Sequence, residues 1–141
     1  MKKTTFLLLS LVLACDPPGD ARLTFQNNSS FPIILAEAQD EGKIGAPYKF
    51  YECTSNKLAH TYVKSGEKDG YPTSPGGNWE ILIPRYPNQT LLFIVYNADS
   101  ATKYIDNYGC DSLGKRNGLV LKRFDVTVDY LKKNNWTLTY P

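Results

Sequence analysis

The sequence predicts a mostly β fold, in which a single antiparallel β-sandwich, immunoglobulin-like in outline, carries one short helix before its C-terminal strand. Three observations lead to this fold class. Several short runs are either apolar or alternate between apolar and polar side chains. Turn-forming residues separate these runs, and residues 136–140 alternate bulky side chains with threonines. A chain of 141 residues is long enough for one such domain with one core.

The first two strands are predicted close to the start of the domain. Residues 22–26 read as a half-buried strand, because Leu23 and Phe25 alternate with polar neighbours. Residues 27–30 contain only Asn and Ser, which favour turns. Residues 31–38 are mostly apolar at both odd and even positions, so both faces of a strand there would be apolar. We therefore expect a strand close to the core.

The middle of the chain has weaker signals. Residues 39–47 form a polar loop in this interpretation, residues 48–63 show no clean period, and residues 64–78 form a long connector rich in Gly and Pro. Residues 79–83 predict a strand that Pro84 ends.

The strongest core signal lies further along the chain. Residues 91–96 are the most apolar segment after the N-terminal region, which is typical of a central strand. Residues 97–118 are polar and predict loops, and residues 119–124 predict another strand.

The C-terminal region has the most regular pattern. Thr127 is a predicted N-cap, Asp129 lies in the first turn of a short helix, and residues 134–135 end it. The final strand covers residues 136–140. Its bulky side chains are expected to point into the core: Trp136, Leu138 and Tyr140.

The N-terminus has the organisation of a secretory signal. Residues 1–14 begin with Lys2 and Lys3, continue with an apolar run and end at the small residue Ala14. The apolar run of about nine residues is much shorter than the roughly 20 that a spanning helix needs. Cys15 follows directly, and this junction resembles the lipobox of bacterial lipoproteins. The resemblance implies cleavage before Cys15 and attachment of acyl chains, such as palmitate, to it.

These features predict a domain plan and a location. Residues 1–14 are the signal peptide, residues 15–21 a lipidated tether and residues 22–141 a single β-rich domain. The protein is expected in the bacterial cell envelope as a membrane-anchored lipoprotein, with the outer membrane, the periplasmic face and the surface face all left open. Removing two lysines with the signal from 16 basic residues leaves 14, which equals the 14 acidic ones. A neutral domain is not expected to bind nucleic acid.

The C-terminal segment, residues 120–141, carries a second resemblance. Its sequence VLKRFDVTVDYLKKNNWTLTYP has a basic pair in a strand, a helical turn, and then the pattern N-W-T-x-x-Y-P. This segment resembles the C-terminal signature of small uncharacterised Bacteroidota lipoproteins. The opening of the domain, LTFQNNSSFPI, is similar to their first strand and turn. The matching residues near the C-terminus are Lys122, Arg123, Thr127, Leu131, Asn135, Trp136, Thr137, Tyr140 and Pro141. The resemblance implies location and architecture and transfers no activity.

Two cysteines remain besides Cys15. Cys53 and Cys110 are candidates for one disulfide, because exported proteins meet oxidising conditions. The bridge would close a loop of about 58 residues. In the chain-entropy model such a bridge stabilises the folded state by roughly 4 kcal/mol, because it lowers the entropy of the unfolded chain. Two unpaired thiols are the alternative, since sequence does not show whether the Cα atoms approach within about 7 Å.

Catalytic signals are scarce in this sequence. Nucleophilic catalysis usually needs a base, most often histidine, and the single histidine, His60, lies in no motif. Neither a nucleophile elbow nor a zinc-protease helix motif occurs. The aspartates Asp99, Asp106 and Asp111 could offer oxygens to calcium, but their spacing fits no EF-hand loop. We therefore expect a protein that is not an enzyme and uses no cofactor or metal.

The expected function is a binding or accessory module of the cell envelope. Tyr104 and Tyr108 lie in the polar stretch and are the candidate binding face for a glycan or protein ligand, because exposed aromatic rings give contact area at low entropic cost. Packing in the β core is the alternative role for such tyrosines. Two other functions stay open, an envelope hydrolase whose site is not visible in sequence and a structural subunit of an envelope assembly.

Two serines are candidate modification sites. Ser100 and Ser112 each follow an aspartate and precede an apolar residue. These tripeptides resemble the acceptor for O-glycosylation in Bacteroidota. Both are expected in loops, where a transferase could reach them.

Overall fold

The computed structural model describes residues 17–39, 49–50, 53–54, 57–58 and 60–141. The strands in these ranges are β1 (Thr24–Asn27), β2 (Ile33–Gln39), β3 (Lys49–Phe50), β4 (Cys53–Thr54), β5 (Lys57–Leu58), β6 (Thr61–Val63), β7 (Lys68–Gly70), β8 (Leu91–Asn97), β9 (Val120–Val126) and β10 (Thr137–Tyr140). The helices are α1 (Trp79–Leu82), α2 (Ala98–Tyr108), α3 (Cys110–Leu113) and α4 (Val128–Lys133). No helix within these ranges is long and apolar enough to cross a bilayer.

The larger sheet has five strands. Its order is β3-β2-β8-β9, and β6 also pairs with β2. Strands β2 and β8 are antiparallel, from Ile33 opposite Asn97 to Ala38 opposite Leu92. Residues 91–96 of β8 are all buried, which confirms the central strand predicted there.

The smaller sheet has the order β10-β1-β7. Strand β1 is antiparallel to β7 but parallel to β10, with Thr24 opposite Thr137 and Asn27 opposite Tyr140. The prediction of an entirely antiparallel sandwich is therefore wrong at this pair. Parallel neighbours need a long crossover connection, and here the chain between β1 and β10 provides it.

Alternate side chains of the five-stranded sheet enter two separate cores, one on each face. The first core lies between the two sheets and includes Leu23, Phe25, Ile33, Leu35, Phe93 and Leu138. The second core lies between the five-stranded sheet and the helices α2 and α3, and it includes Ile34, Ala36, Ile94, Tyr96, Ala101 and Leu113. The two packed sheets confirm the predicted sandwich, and the helices add a third layer.

The polar stretch after β8 is helical, so the prediction of loops there is wrong. Asn97 starts α2, because its side-chain oxygen accepts the N–H of Ser100 at 3.0 Å. Gly109 ends the helix with a φ of 77°. Ala98 and Ala101 are buried, three residues apart on one side of the helix. The polar residues that indicated a loop occupy the exposed side.

The strand predicted at residues 79–83 is also wrong, because these residues form α1 and the start of a 3-10 turn. The side chain of Asn78 caps α1 by accepting the N–H of Glu80 at 2.8 Å. Trp79 and Ile83 are both buried and lie four residues apart, as on one helical face. A short, mostly apolar run does not distinguish the period of about 3.6 residues in a helix from the two-residue period of a strand.

The C-terminal prediction is confirmed in outline. The hydroxyl of Thr127 accepts the N–H of Tyr130 at 3.1 Å and caps α4, and β10 follows. Leu138 is only 1% exposed. Trp136 is half-buried rather than part of the buried core, and the Arg22 guanidinium lies 3.9 Å from its ring centroid.

The segment ahead of β1 packs on the connector between β7 and α1. The N–H of Gly76 donates to the carbonyl of Pro17 at 2.8 Å. The N–H of Asp20 donates to the Thr73 hydroxyl at 2.7 Å, and the N–H of Thr73 returns a bond to the Asp20 carbonyl at 3.0 Å. Pro17, the first described residue, thus already contacts the domain, ahead of residue 22, where the domain was expected to start.

The carboxylate of Asp20 fixes this segment. It forms an ion pair of 2.6 Å with Arg22 and accepts the N–H of Trp79 at 3.3 Å. The hydrogen bond from the Arg22 side chain lowers the pKa of Asp20 from 3.8 to about 2, and the N–H groups of Arg22 and Trp79 act in the same direction.

We expect Asp20→Asn to lower stability by about 1–2 kcal/mol at pH 7 and by much less near pH 2. The folded-state pKa lies below the unfolded one, so this stabilisation is present above pH 4 and is lost as the pH falls through about 2. Urea unfolding of parent and variant at both pH values measures the difference. Asp111→Asn, at an exposed position, is the matched control. An equal loss at both pH values would contradict a role for the charge.

Candidate functional site

A surface cleft of about 330 Å³ lies between the 3-10 turns after α1 and the beginning of α4. Buried Ile83 and half-buried Val128 give it an apolar base, whereas Asn88, Gln89 and Asp129 are exposed around it. The full lining is Ile83, Pro84, Asn88, Gln89, Thr127, Val128 and Asp129. The volume is at the lower end of the range of about 300–1,000 Å³ for small-molecule sites.

Two prolines shape one wall of the cleft. Pro84 follows α1 with only Ile83 between and lacks the N–H that would continue its hydrogen bonds, whereas Pro87 begins the next 3-10 segment, where the missing N–H costs nothing. Asn88 and Gln89 then take the left-handed conformation, with φ of 54° and 53°. Residues other than glycine rarely adopt it, and such strain concentrates at functional sites. A bond of 2.9 Å from the N–H of Gln89 to the carbonyl of Tyr86 closes the turn.

The opposite wall is the first turn of α4. The hydroxyl of Thr127 is used by the helix as its cap, but Asp129 is not required for that cap. Within the part of the chain that the structure describes, the side chains of Asn88, Gln89 and Asp129 make no hydrogen bond or ion pair. The cleft therefore offers two amides, which donate and accept, and one carboxylate, which accepts.

A second polar group lies at the edge of the first core. Glu37 accepts hydrogen bonds of 2.8 Å from the hydroxyls of both Tyr71 and Tyr86. The ring of Tyr71 stacks on Trp79 with centroids 5.9 Å apart. These bonds tie β2 to the connector at Tyr71 and to Tyr86, which begins the turn that forms one wall of the cleft.

The two tyrosines of the predicted aromatic face contact each other, but only one of them is exposed. Tyr104 and Tyr108 lie four residues apart on α2, with ring centroids separated by 4.8 Å. Tyr108 is 66% exposed, whereas Tyr104 packs against the second core. The pair thus lies on a helix rather than in a loop, on the side of the five-stranded sheet that faces away from the first core.

His60 is exposed and lies directly before β6. Among the described residues, no group of three or more His, Cys, Asp or Glu side chains is placed to hold a metal ion. The expectation that the protein is not an enzyme stays a prediction.

The candidate modification sites differ in accessibility. Ser100 is exposed in the first turn of α2, and Ser112 is half-buried in α3. Both are helical, so the expectation of loop positions is wrong: Asn97 caps α2 ahead of Ser100, and Ser112 lies in α3, which begins after Gly109. Glycosylation at either serine stays a prediction.

The cysteines are described unequally. Cys110 is fully buried in the second core and is disulfide-bonded. The side chain of Cys53 and the whole of Cys15 lie outside the described residues. The pairing of Cys53 with Cys110 and the lipidation of Cys15 therefore stay predictions.

Sequence reasoning did not identify the cleft. Pro84 was interpreted only as the end of a strand, and the Thr127 cap marked the start of α4. Their approach depends on the packing of α1 and α4 on the first core, which no local pattern contains.

No protein-family model, curated protein or solved structure matches this chain.

Proposed function

We propose that this protein is a lipid-anchored cell-envelope binding module without catalytic activity, and that its cleft binds a neutral, polyhydroxylated ligand such as the end of a glycan chain. The anchoring part of the proposal is supported by the order of charge, apolar run, small residue and Cys15 at the N-terminus. The binding part is supported by the composition of the cleft.

The observation that carries the binding proposal is the set of uncommitted polar groups around an apolar base. Asn88, Gln89 and Asp129 offer both donors and acceptors, whereas a sugar presents hydroxyls that need both. The apolar base, with Ile83 and Val128, suits the C–H faces of a sugar ring. None of the lining residues is a lysine or arginine, which argues against a phosphate or sulfate ligand.

We expect Asp129→Ala to weaken binding to neutral glycans by about 10- to 100-fold, because a hydrogen bond to a charged group contributes about 1.5–3 kcal/mol. A panel of immobilised neutral, sulfated and sialylated glycans identifies the ligand, and titration with the strongest neutral one gives the affinities of parent and variant. Asp99→Ala is the matched control, because Asp99 is also exposed in the first turn of a helix but lies on α2. Equal affinities of Asp129→Ala and the parent would exclude the cleft.

The same assay distinguishes the other sites. Tyr108→Ala tests the aromatic pair on α2, and a loss confined to this variant would move the binding site to that helix. His60→Ala should leave binding unchanged. If the protein were instead a hydrolase with His60 as general base, the same variant would lose about 10²–10⁴-fold in turnover of the bound glycan.

A further inference from the structure

The N-terminal segment is fixed to the domain almost as far as the predicted lipid attachment site. Pro17 is hydrogen-bonded to Gly76, and only Asp16 separates Pro17 from Cys15 in the sequence. Consecutive Cα atoms are about 3.8 Å apart, so the Cα of Cys15 lies within about 8 Å of that of Pro17. Acyl chains on Cys15 would therefore leave little freedom for the domain to move away from the bilayer.

The sequence is adapted to this close packing at Gly19. A Cβ atom at Gly19 would overlap the carbonyl oxygen of Thr73 and lie 2.8 Å from that of Ser74. Gly77 is similarly restricted, since a Cβ there would lie 2.7 Å from the Cβ of Thr73. Thr73 itself is 8% exposed and bonds to Asp20 through both its hydroxyl and its N–H. The contact between the segment and the connector is thus specific and not a chance approach.

The surface next to Pro17 has a composition that suits lipid headgroups. Pro17, Pro18 and residues 74–76 are all exposed. No charged residue occurs between residues 71 and 79, so close approach to a bilayer would desolvate no ionised side chain there.

We propose that the face formed by Pro17, Pro18 and residues 74–76 is the membrane-proximal face of the protein, held against the lipid headgroups by the short link from Cys15. The inference rests on the proposed lipid anchor and adds an orientation to it. Tyr71 and Trp79, at the two ends of the connector, pack in the first core, whereas Tyr104 packs against the second core on the opposite face of the five-stranded sheet. We therefore expect Tyr104 and Tyr108 to lie away from the face that carries the anchor.

The test uses the full acylated protein in vesicles of phosphatidylethanolamine and phosphatidylglycerol that contain nitroxide-labelled lipids. A fluorophore is attached to Ser74→Cys or, as the matched control, to Thr102→Cys, because both residues are small, polar and exposed. We expect loss of most of the fluorescence at position 74 and little loss at position 102.

Two further variants test whether the orientation depends on the short link from Cys15 and on the packing of the N-terminal segment against Thr73. An insertion of about eight Gly and Ser residues between Asp16 and Pro17, with a mean span of about 15 Å, should remove the difference between the two labels while vesicle binding persists. Gly19→Val should do the same by displacing the segment from Thr73. Gly118→Val is its control, because a Cβ at Gly118 meets no atom within 4 Å.

Each outcome has one meaning. Equal quenching at positions 74 and 102 in a vesicle-bound parent overturns the inference and leaves the lipid anchor intact. A difference that survives the insertion also overturns it, because orientation would then not depend on the short link. A parent protein that fails to bind vesicles overturns the lipid anchor and the orientation together.

Discussion

Replacing Cys15 with serine should abolish attachment of the protein to membranes. Lipid transfer requires the cysteine sulfur, and stable anchoring needs two or more acyl chains, since one gives only marginal binding. Outside Lys2 and Lys3 the basic and acidic residues are equal in number, so the domain offers no electrostatic substitute for the lipid. Detergent-phase partitioning and intact-mass measurement of protein made in a lipoprotein-processing bacterial host compare the variant with the parent.

Thr4→Ser is the control for this experiment, because it changes the same segment and keeps Cys15. It should partition into detergent with the mass increase of the parent. If Cys15→Ser partitions in the same way and with the same mass increase, the protein is not a lipoprotein anchored at this residue.

Phe93→Ala should cost about 3–5 kcal/mol of the free energy of unfolding, as truncation of a buried aromatic side chain does. Phe93 is fully buried on the central strand and meets the rings of Phe25 at 5.0 Å and Tyr71 at 5.1 Å in edge-on contacts. The truncation would leave a cavity in the first core. Urea unfolding followed by far-ultraviolet circular dichroism measures the loss.

Trp136→Ala is the informative comparison. Tryptophan is the larger residue, but Trp136 is half-buried and its ring is covered in part by the Arg22 guanidinium. An exposed cation–π contact contributes only about 0.5–1 kcal/mol. We expect a clearly smaller loss than for Phe93→Ala, and a loss as large or larger would show that Trp136 contributes more to the core than its burial indicates.

The first, central and last strands were predictable because each has a local signal in the sequence. Residues 23–26 and 137–140 alternate cleanly, and residues 91–96 are apolar throughout. The predictions at residues 79–83 and 97–118 were wrong for two physical reasons. An apolar run of five residues fits a strand or a helical turn equally well, and the exposed side of an amphipathic helix has the composition of a loop.

The cleft was not predictable from local patterns. Its two walls, residues 83–89 and 127–129, are about forty positions apart, and neither contains a recognised motif. An ion pair of 3.1 Å between Glu80 and Lys132 joins α1 to α4. The sequence does not identify this pair, because many other oppositely charged residues in the chain could pair equally well. Tyr104 and Tyr108 were identified because aromatic residues in a polar stretch are conspicuous, although their helical spacing went unrecognised.

The parallel pairing of β1 with β10 has a consequence for the order in which the molecule can form. The hydroxyls of Thr24 and Thr137 lie 3.0 Å apart although 113 positions separate them along the chain. Closing so long a loop is entropically costly, and folds dominated by such distant contacts form slowly. A nascent chain has no partner for that edge of β1 until its last strand has emerged. Under the export proposed above, this delay would keep the chain unfolded during passage through a translocon, and the sandwich would close only after passage.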